Sequence, residues 1–169
     1  MATPHLTAMR RSLWDAIDNW APFNLEGGVF KQKWRFEDVG AMGVRRPEPS
    51  TGKLPAVGIF PATPNSDWVT NQEQEISYAA NISIFTDRID VMRGELLWQE
   101  MVRCIWQSAP AGTTQPYVLA ACHDIVTAAG PAVIEPYEDA EILEWRWSVT
   151  LRKHWNPRLE TETLVIPQG

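Results

Sequence analysis

The side chains that most often carry catalysis or bind metals are few and scattered in this sequence. It has two cysteines, Cys104 and Cys122, and three histidines, His5, His123 and His154. No two of them have the HxxxH or CxxC spacing that brings zinc ligands together, so the sequence predicts no metal site. Cys104 lies in an apolar helical stripe, which favours an inert core thiol. A Cys–His nucleophile needs a thiol within hydrogen-bond reach of an imidazole, and Cys122 with His123 or His154 keeps that hypothesis open.

Carboxylates crowd one region and form the other candidate for chemistry. The cluster consists of Glu135, Glu138, Asp139, Glu141 and Glu144. Such a group could bind a divalent cation or supply a pair of catalytic carboxylates. It lacks the glycine-punctuated spacing of a calcium loop, so we favour a turn followed by the solvated face of a strand. No GxGxxG or GxxxxGK[ST] loop occurs. The sequence therefore predicts no catalytic residue and no cofactor.

The elements that would position these residues follow from apolar periodicity. Apolar residues at three- and four-residue spacing predict helices at 5–20 and 90–107, and Asp90 is placed to cap the second. Alternation or short apolar runs predict strands at 29–37, 54–60, 75–86 and 142–153. Residues 117–129 fit a helix or a buried strand equally well.

This order of elements has no regular βαβ alternation and predicts an α+β fold. We expect an antiparallel sheet of four to five strands with two main helices packed on one face. The length of 169 residues fits one domain, which we place at 1–156, followed by a C-terminal tail at 157–169.

Composition restricts the class of partner. The formal net charge is −6 and the pI is near 5.1, so binding nucleic acid through Arg10, Arg11, Arg45 and Arg46 is disfavoured. Two cysteines imply no disulfide framework and fit a reducing compartment. No apolar run approaches the length of a membrane span. Nine tryptophans are many for such a chain, and both a tryptophan-rich core and subunit contacts remain open.

The remaining features concern surfaces that could meet another chain. Two long connections, 40–53 and 61–72, carry Arg45, Arg46 and Trp68, and long loops often carry function. The polar face of the strand at 142–153 presents Arg146 and Arg152. The tail carries Leu164, Val165 and Ile166. Three alternatives remain open for them: packing on their own domain, contact with a neighbouring subunit, or mobility. The partner-interface residues predicted from sequence are therefore Arg45, Arg46, Trp68, Arg146, Arg152, Leu164, Val165 and Ile166.

The order of segments over residues 5–155 resembles one known family. An N-terminal helix is followed by LPAVGIFP, a long loop, EISYAANISIFTD running into ELLWQEMVRCIWQS, and finally ILEWRWSVTLRKHW. This pattern is similar to the tail-terminator and tail-completion proteins of long-tailed bacteriophages. It is a resemblance of pattern and segment order, with no invariant fingerprint.

The resemblance implies a structural virion protein without catalytic residues. It implies a homo-oligomeric ring, usually of six subunits, that terminates the tail tube and joins it to the neck of the head. The partners would be further copies of the chain, the tail tube protein and neck or connector proteins, with DNA only as passing cargo and no membrane. The chain would be assembled in the host cytoplasm and end in the virion. A neck or head-completion connector, another minor tail protein, and the Cys-dependent enzyme remain as alternatives.

Overall fold

Three helices and seven strands make up the computed structural model, which describes residues 3–35, 49, 51–61, 65–68, 74–127, 130–131, 133–137, 139–161 and 165–168. The α-helices are α1 (His5–Asp18), α2 (Val91–Gln107) and α3 (Tyr117–Ala121). Short 3-10 helices span Ala21–Gly27 and Thr51–Lys53. The strands are β1 (Gln32–Trp34), β2 (Ala56–Pro61), β3 (Asn65–Trp68), β4 (Gln74–Asp87), β5 (Asp124–Thr127), β6 (Val133–Tyr137) and β7 (Asp139–Trp155).

The seven strands form one sheet with five positions across. The order is β1-β2-β4-β7-β5, while β3 pairs with the part of β4 beyond β2 and β6 pairs with the part of β7 beyond β5. Only the β1–β2 pair is parallel among the described strands. The α+β class and the largely antiparallel sheet are confirmed. The expected count of four to five strands matches the five positions across the sheet. The total is seven because each of the two long central strands, β4 and β7, has two short strands along its outer side.

The main core lies between one face of the sheet and the helices α1 and α2. Alternate residues of β4 and β7 point into it, so that the buried side chains Ile82 and Ile84 stand opposite Trp147 and Trp145. The two helices are joined at the carbonyl oxygen of Ala16, which accepts hydrogen bonds from Cys104 Sγ at 3.2 Å and Ser108 Oγ at 2.9 Å. The prediction of two main helices on one face is therefore confirmed.

A second, smaller core covers part of the opposite face. Ala56, Phe85, Tyr137 and Ile142 are buried there, and Trp34 packs against them. The ring of Phe85 meets Trp34 at a centroid distance of 5.6 Å and Tyr137 at 5.2 Å, both edge to face. Such pairs add stability beyond the area that they bury. One end of this face is therefore apolar, although its sequence pattern predicted a polar surface.

The structure also shows the ends of the helices and the nature of the segment 117–129, which periodicity did not determine. Asp90 caps α2 as expected, because its carboxylate accepts the backbone N–H of Arg93 at 3.1 Å. The ambiguous segment 117–129 splits into helix α3 and strand β5, joined at Cys122. Helix α1 ends at Asp18, two residues earlier than expected, because the Pro22 segment continues as a 3-10 helix.

The close approach of α2 to the sheet depends on the absence of a side chain at Gly94. A Cβ atom at this position would overlap the indole ring of Trp145, which is only 2% exposed and has no room to move. The clash outweighs the gain in helix propensity of about 1 kcal/mol. We expect Gly94→Ala to lower the free energy of unfolding by about 1–3 kcal/mol in chemical denaturation. Gly52→Ala is the control, since its added Cβ meets nothing within 4 Å, and an equally stable Gly94→Ala variant would contradict the packing described.

Candidate functional site

The two thiols occupy buried positions that do not activate them. Cys104 faces the core from α2, and burial, reinforced by Glu100, raises its pKa far above the ordinary range. Cys122 lies between α3 and β5, its Sγ lies 3.2 Å from the carbonyl oxygen of Val118, and burial raises its pKa to about 11. A reactive cysteine has a lowered pKa and partial exposure. Neither thiol has the placement of a nucleophile, and neither has an imidazole among its hydrogen-bond partners in the described residues.

Two of the three histidines, His123 and His154, form a small exposed group at the end of the β4–β7 pair. The backbone N–H of His154 donates to His123 Nδ1 at 3.0 Å, and His154 Nε2 lies 3.4 Å from a carboxylate oxygen of Glu75. The remaining histidine, His5, lies at the start of α1. Within the described ranges, no group of three or more His, Cys, Asp or Glu side chains could hold a metal ion.

Two small clefts lie within the described part of the chain. A cleft of about 240 Å³ lies beside α1 and is lined by Arg10, Arg11 and Trp14, and one of about 200 Å³ lies beside Thr51 and Thr86. Ligand pockets usually measure about 300–1,000 Å³ and are mostly apolar. Neither of these two clefts reaches the usual volume of a site for a drug-sized ligand.

A polar network crosses the non-helical face of the sheet beside the second core. Glu144 is 5% exposed and accepts hydrogen bonds from Ser83 Oγ and from Arg146, each at 2.8 Å. Arg146 also reaches Glu135 at 3.4 Å. The hydrogen bond to Glu144 raises the pKa of Arg146. The expectation that Glu144 lies on a solvated face is wrong, because its carboxylate is buried and accepts hydrogen bonds from Ser83 and Arg146.

Farther along β7, the charged groups are more loosely arranged. Arg152 lies 4.0 Å from Glu75 and 3.9 Å from Asp124, and all three side chains remain substantially exposed. Such exposed pairs usually contribute little stability. This end of the face is therefore a solvated polar surface.

An uncovered apolar stripe runs along the start of α2. Met92 is 70% exposed and Leu96 59%, and their spacing of four residues places them on one side of the helix. Ile89, in the turn just before the helix, is 91% exposed, and Val91, the first residue of the helix, is 47% exposed. We call these four residues the α2 stripe. The sequence analysis did not predict this stripe. The signal was present, because these apolar residues do not fall on the helix side that carries Leu97, Met101 and Ile105.

Four of the eight residues predicted from sequence as a partner interface have side chains among the described residues. Arg146 and Arg152 lie six residues apart on the same face of β7. Val165 and Ile166 are exposed by 68% and 78%. Trp68 ends β3, but its side chain, like Arg45, Arg46 and Leu164, lies outside the described residues. Their role as an interface therefore stays a prediction.

The chain segment after β7 folds back toward α1. Trp155 Nε1 donates to Glu160 at 2.9 Å, and His5 Nε2 lies 3.5 Å from the same carboxylate. The ring of His5 packs on Trp155, with centroids 5.0 Å apart, and Lys153 Nζ lies 3.1 Å from His5 Nδ1. The beginning of the predicted tail is thus tied to its own domain.

Comparison with known proteins adds no assignment, since no protein-family model and no curated protein matches the sequence. No helix in the described part of the chain is long and apolar enough to cross a membrane.

The buried network predicts a large difference between two arginines of the same strand. Arg146→Ala leaves the carboxylate of Glu144 buried with only the hydroxyl of Ser83 as a side-chain donor, so we expect a loss of about 1–3 kcal/mol in unfolding free energy. Arg152→Ala is the control and should cost less than about 1 kcal/mol. Both are measured by urea denaturation, and equal effects would show that Glu144 is not held as described.

The raised thiol pKa values predict slow modification. With a pKa of about 11 instead of the reference 9.0, Cys122 carries about a hundredfold less thiolate near neutral pH, and Cys104 carries still less. We expect both thiols of the folded chain to react with a disulfide reagent at least that much more slowly than a model peptide, and at the peptide rate in denaturant. A folded-state rate at or above the peptide rate would restore the Cys-dependent enzyme hypothesis.

Proposed function

We propose that the chain is a structural assembly protein that works by docking against other protein chains. In the form that the sequence resemblance suggests, copies make a ring, usually of six, that ends a phage tail tube and joins it to the neck of the head. The observation that carries the docking function is the α2 stripe. The buried thiols support it, because burial raises their pKa values and makes nucleophilic attack by either one unfavourable.

The stripe favours a protein partner for an energetic reason. Burying a side chain such as Ile, Met or Leu stabilises by about 1.5–3 kcal/mol relative to leaving it in water. Monomeric proteins rarely leave a contiguous apolar patch of more than a few hundred Å² uncovered, and such patches mark interaction sites. Helix α2 is anchored through its other side by Leu97, Met101 and Ile105, so the stripe is held on a rigid element.

Tube capping gives the sharpest test. The purified chain is added to tail tube protein from the same genome during polymerisation, and tube lengths are measured by electron microscopy. The wild-type chain should shorten the tubes and be found at their ends. Failure of the wild-type chain to bind tubes would overturn the proposed function, and a position in the neck of the particle by cryo-electron microscopy would favour the connector alternative.

A pair of variants tests the stripe itself. Met92→Glu with Leu96→Glu should raise the concentration needed for capping at least about tenfold, because a charge cannot be buried without a partner. Gln99→Glu with Gln107→Glu adds the same charge to exposed positions of the same helix and should cap normally. Circular dichroism checks that both variants fold. Normal capping by the Met92/Leu96 variant would remove the stripe from the function.

A further inference from the structure

Two uncovered apolar surfaces belong to this chain, and they are separate from each other. One is the α2 stripe. Gly94, within the span of the stripe, packs on Trp145, which places the stripe beside that position of β7. The other surface is formed by Val165 and Ile166 in the segment after β7, which are exposed by 68% and 78%. We call these two residues the tail pair.

The segment that leads to the tail pair is held at the far end of β7. Trp155 Nε1 donates to Glu160 at 2.9 Å, and His5 Nε2 lies 3.5 Å from the same carboxylate. The chain reaches this contact through a tight turn, in which the backbone N–H of Leu159 donates to the carbonyl oxygen of Asn156 at 3.1 Å. We call the contact of Trp155, Glu160 and His5 the tail clasp. It fixes Glu160 beside the last residue of β7.

The tail clasp keeps the tail pair away from the stripe of its own chain. Trp145 and Trp155 lie ten residues apart on β7, which is about 33 Å along an extended strand. The six residues from Glu160 to Ile166 span at most about 22 Å even when fully extended. While the clasp is closed, the tail pair therefore cannot meet its own stripe, although it can meet the stripe of another copy.

We propose that the tail pair of one copy docks on the α2 stripe of the next copy. Both surfaces are aliphatic, and contact between them removes apolar area of both from water, which is favourable. The clasp anchors the base of the segment, so less conformational freedom is lost on docking than for a segment without such an anchor. The contact is heterologous, since it joins two different surfaces, and its repetition gives a ring or an open chain of subunits. This inference rests on the proposed function and deepens it by naming the segment that covers the stripe.

Disulfide trapping tests this contact. Leu96→Cys is placed on one copy and Ile166→Cys on another, and an equimolar mixture is oxidised mildly. Because a disulfide forms when two Cα atoms come within about 4.4–6.8 Å, the heterodisulfide should form at least about tenfold faster than either homodisulfide. The native thiols Cys104 and Cys122 are buried and do not compete. In the control, Gln107→Cys replaces Leu96→Cys about 16 Å farther along α2, at another exposed position, and its heterodisulfide should form no faster than the homodisulfides.

The products distinguish this contact from the alternatives. A Leu96→Cys homodisulfide as the main product would show that stripe meets stripe and would overturn the inference. A heterodisulfide that forms no faster than in the control would overturn it as well. A chain carrying both Leu96→Cys and Ile166→Cys should give only intermolecular products, and an intramolecular disulfide in dilute solution would contradict the separation of about 33 Å along β7.

Sedimentation of charged variants gives an independent measurement. The tail variant, Val165→Asp with Ile166→Asp, should lower the association constant between copies at least about tenfold, because a carboxylate is not buried without a partner. Thr161→Asp with Gln168→Asp adds the same charge to exposed positions of the same segment and should associate as the wild-type chain does. Circular dichroism checks that both variants fold.

Mixing gives the result that only contact between two unlike surfaces predicts. The tail variant keeps its stripe, and Met92→Glu with Leu96→Glu keeps its tail pair, so an equimolar mixture should form a 1:1 dimer and nothing larger. A wild-type chain that stays monomeric, a tail variant that associates normally, or a mixture that forms larger species would each overturn the inference.

Failure of this contact and failure of the proposed function are distinguishable. Self-association is measured on the purified chain alone, whereas tube capping is measured with the tube protein. A tail variant that still caps tubes at the wild-type concentration would overturn the tail contact while leaving the proposed function intact. Wild-type copies that associate through tail pair and stripe but never bind tubes would do the reverse.

Discussion

The antiparallel pairing of β4 with β7 is the constraint on which the rest of the structure depends. Fourteen consecutive residue pairs join the two strands, from Gln74 opposite Trp155 to Asp87 opposite Ile142. One face of this ribbon supplies the large side chains against which α1 and α2 pack, and the other supplies Phe85 and the buried Glu144. A slip of one residue would move each set to the wrong face, so the two cores fix the register together.

The length of these two strands also shapes the periphery. No other strand in the described part of the chain is as long, so β2 and β3 share the outer side of β4, and β5 and β6 share that of β7. The described sheet consequently ends in short strands on both sides. Short strands at sheet edges discourage uncontrolled pairing between chains.

The sequence predicted those features that depend on strict periodicity or on a single local hydrogen bond. The alternation in β4 and β7 and the cap of α2 at Asp90 are of this kind, and each is confirmed. The sequence analysis did not predict whether a side chain is buried or exposed where tertiary packing decides it. Glu144 alternates like a solvent-facing residue but is buried and hydrogen-bonded to Ser83 and Arg146. Val91 is an apolar residue at the start of α2 but is 47% exposed. The interface residues Arg45, Arg46 and Leu164 lie outside the described residues.

The distribution of the tryptophans bears on how the chain divides its apolar surface. Trp14, Trp145 and Trp147 are almost fully buried, whereas Trp106 on α2 is 42% exposed. Three of the nine indoles therefore belong to the core, which answers part of the question that composition raised. What remains uncovered is concentrated on α2 and at the end of the chain, and it is aliphatic more than aromatic. The proposed docking function needs such surfaces to be stable in the free chain yet more stable when covered. Helix α2 meets both requirements, because its opposite face is buried in the core and the helix does not need the partner in order to fold.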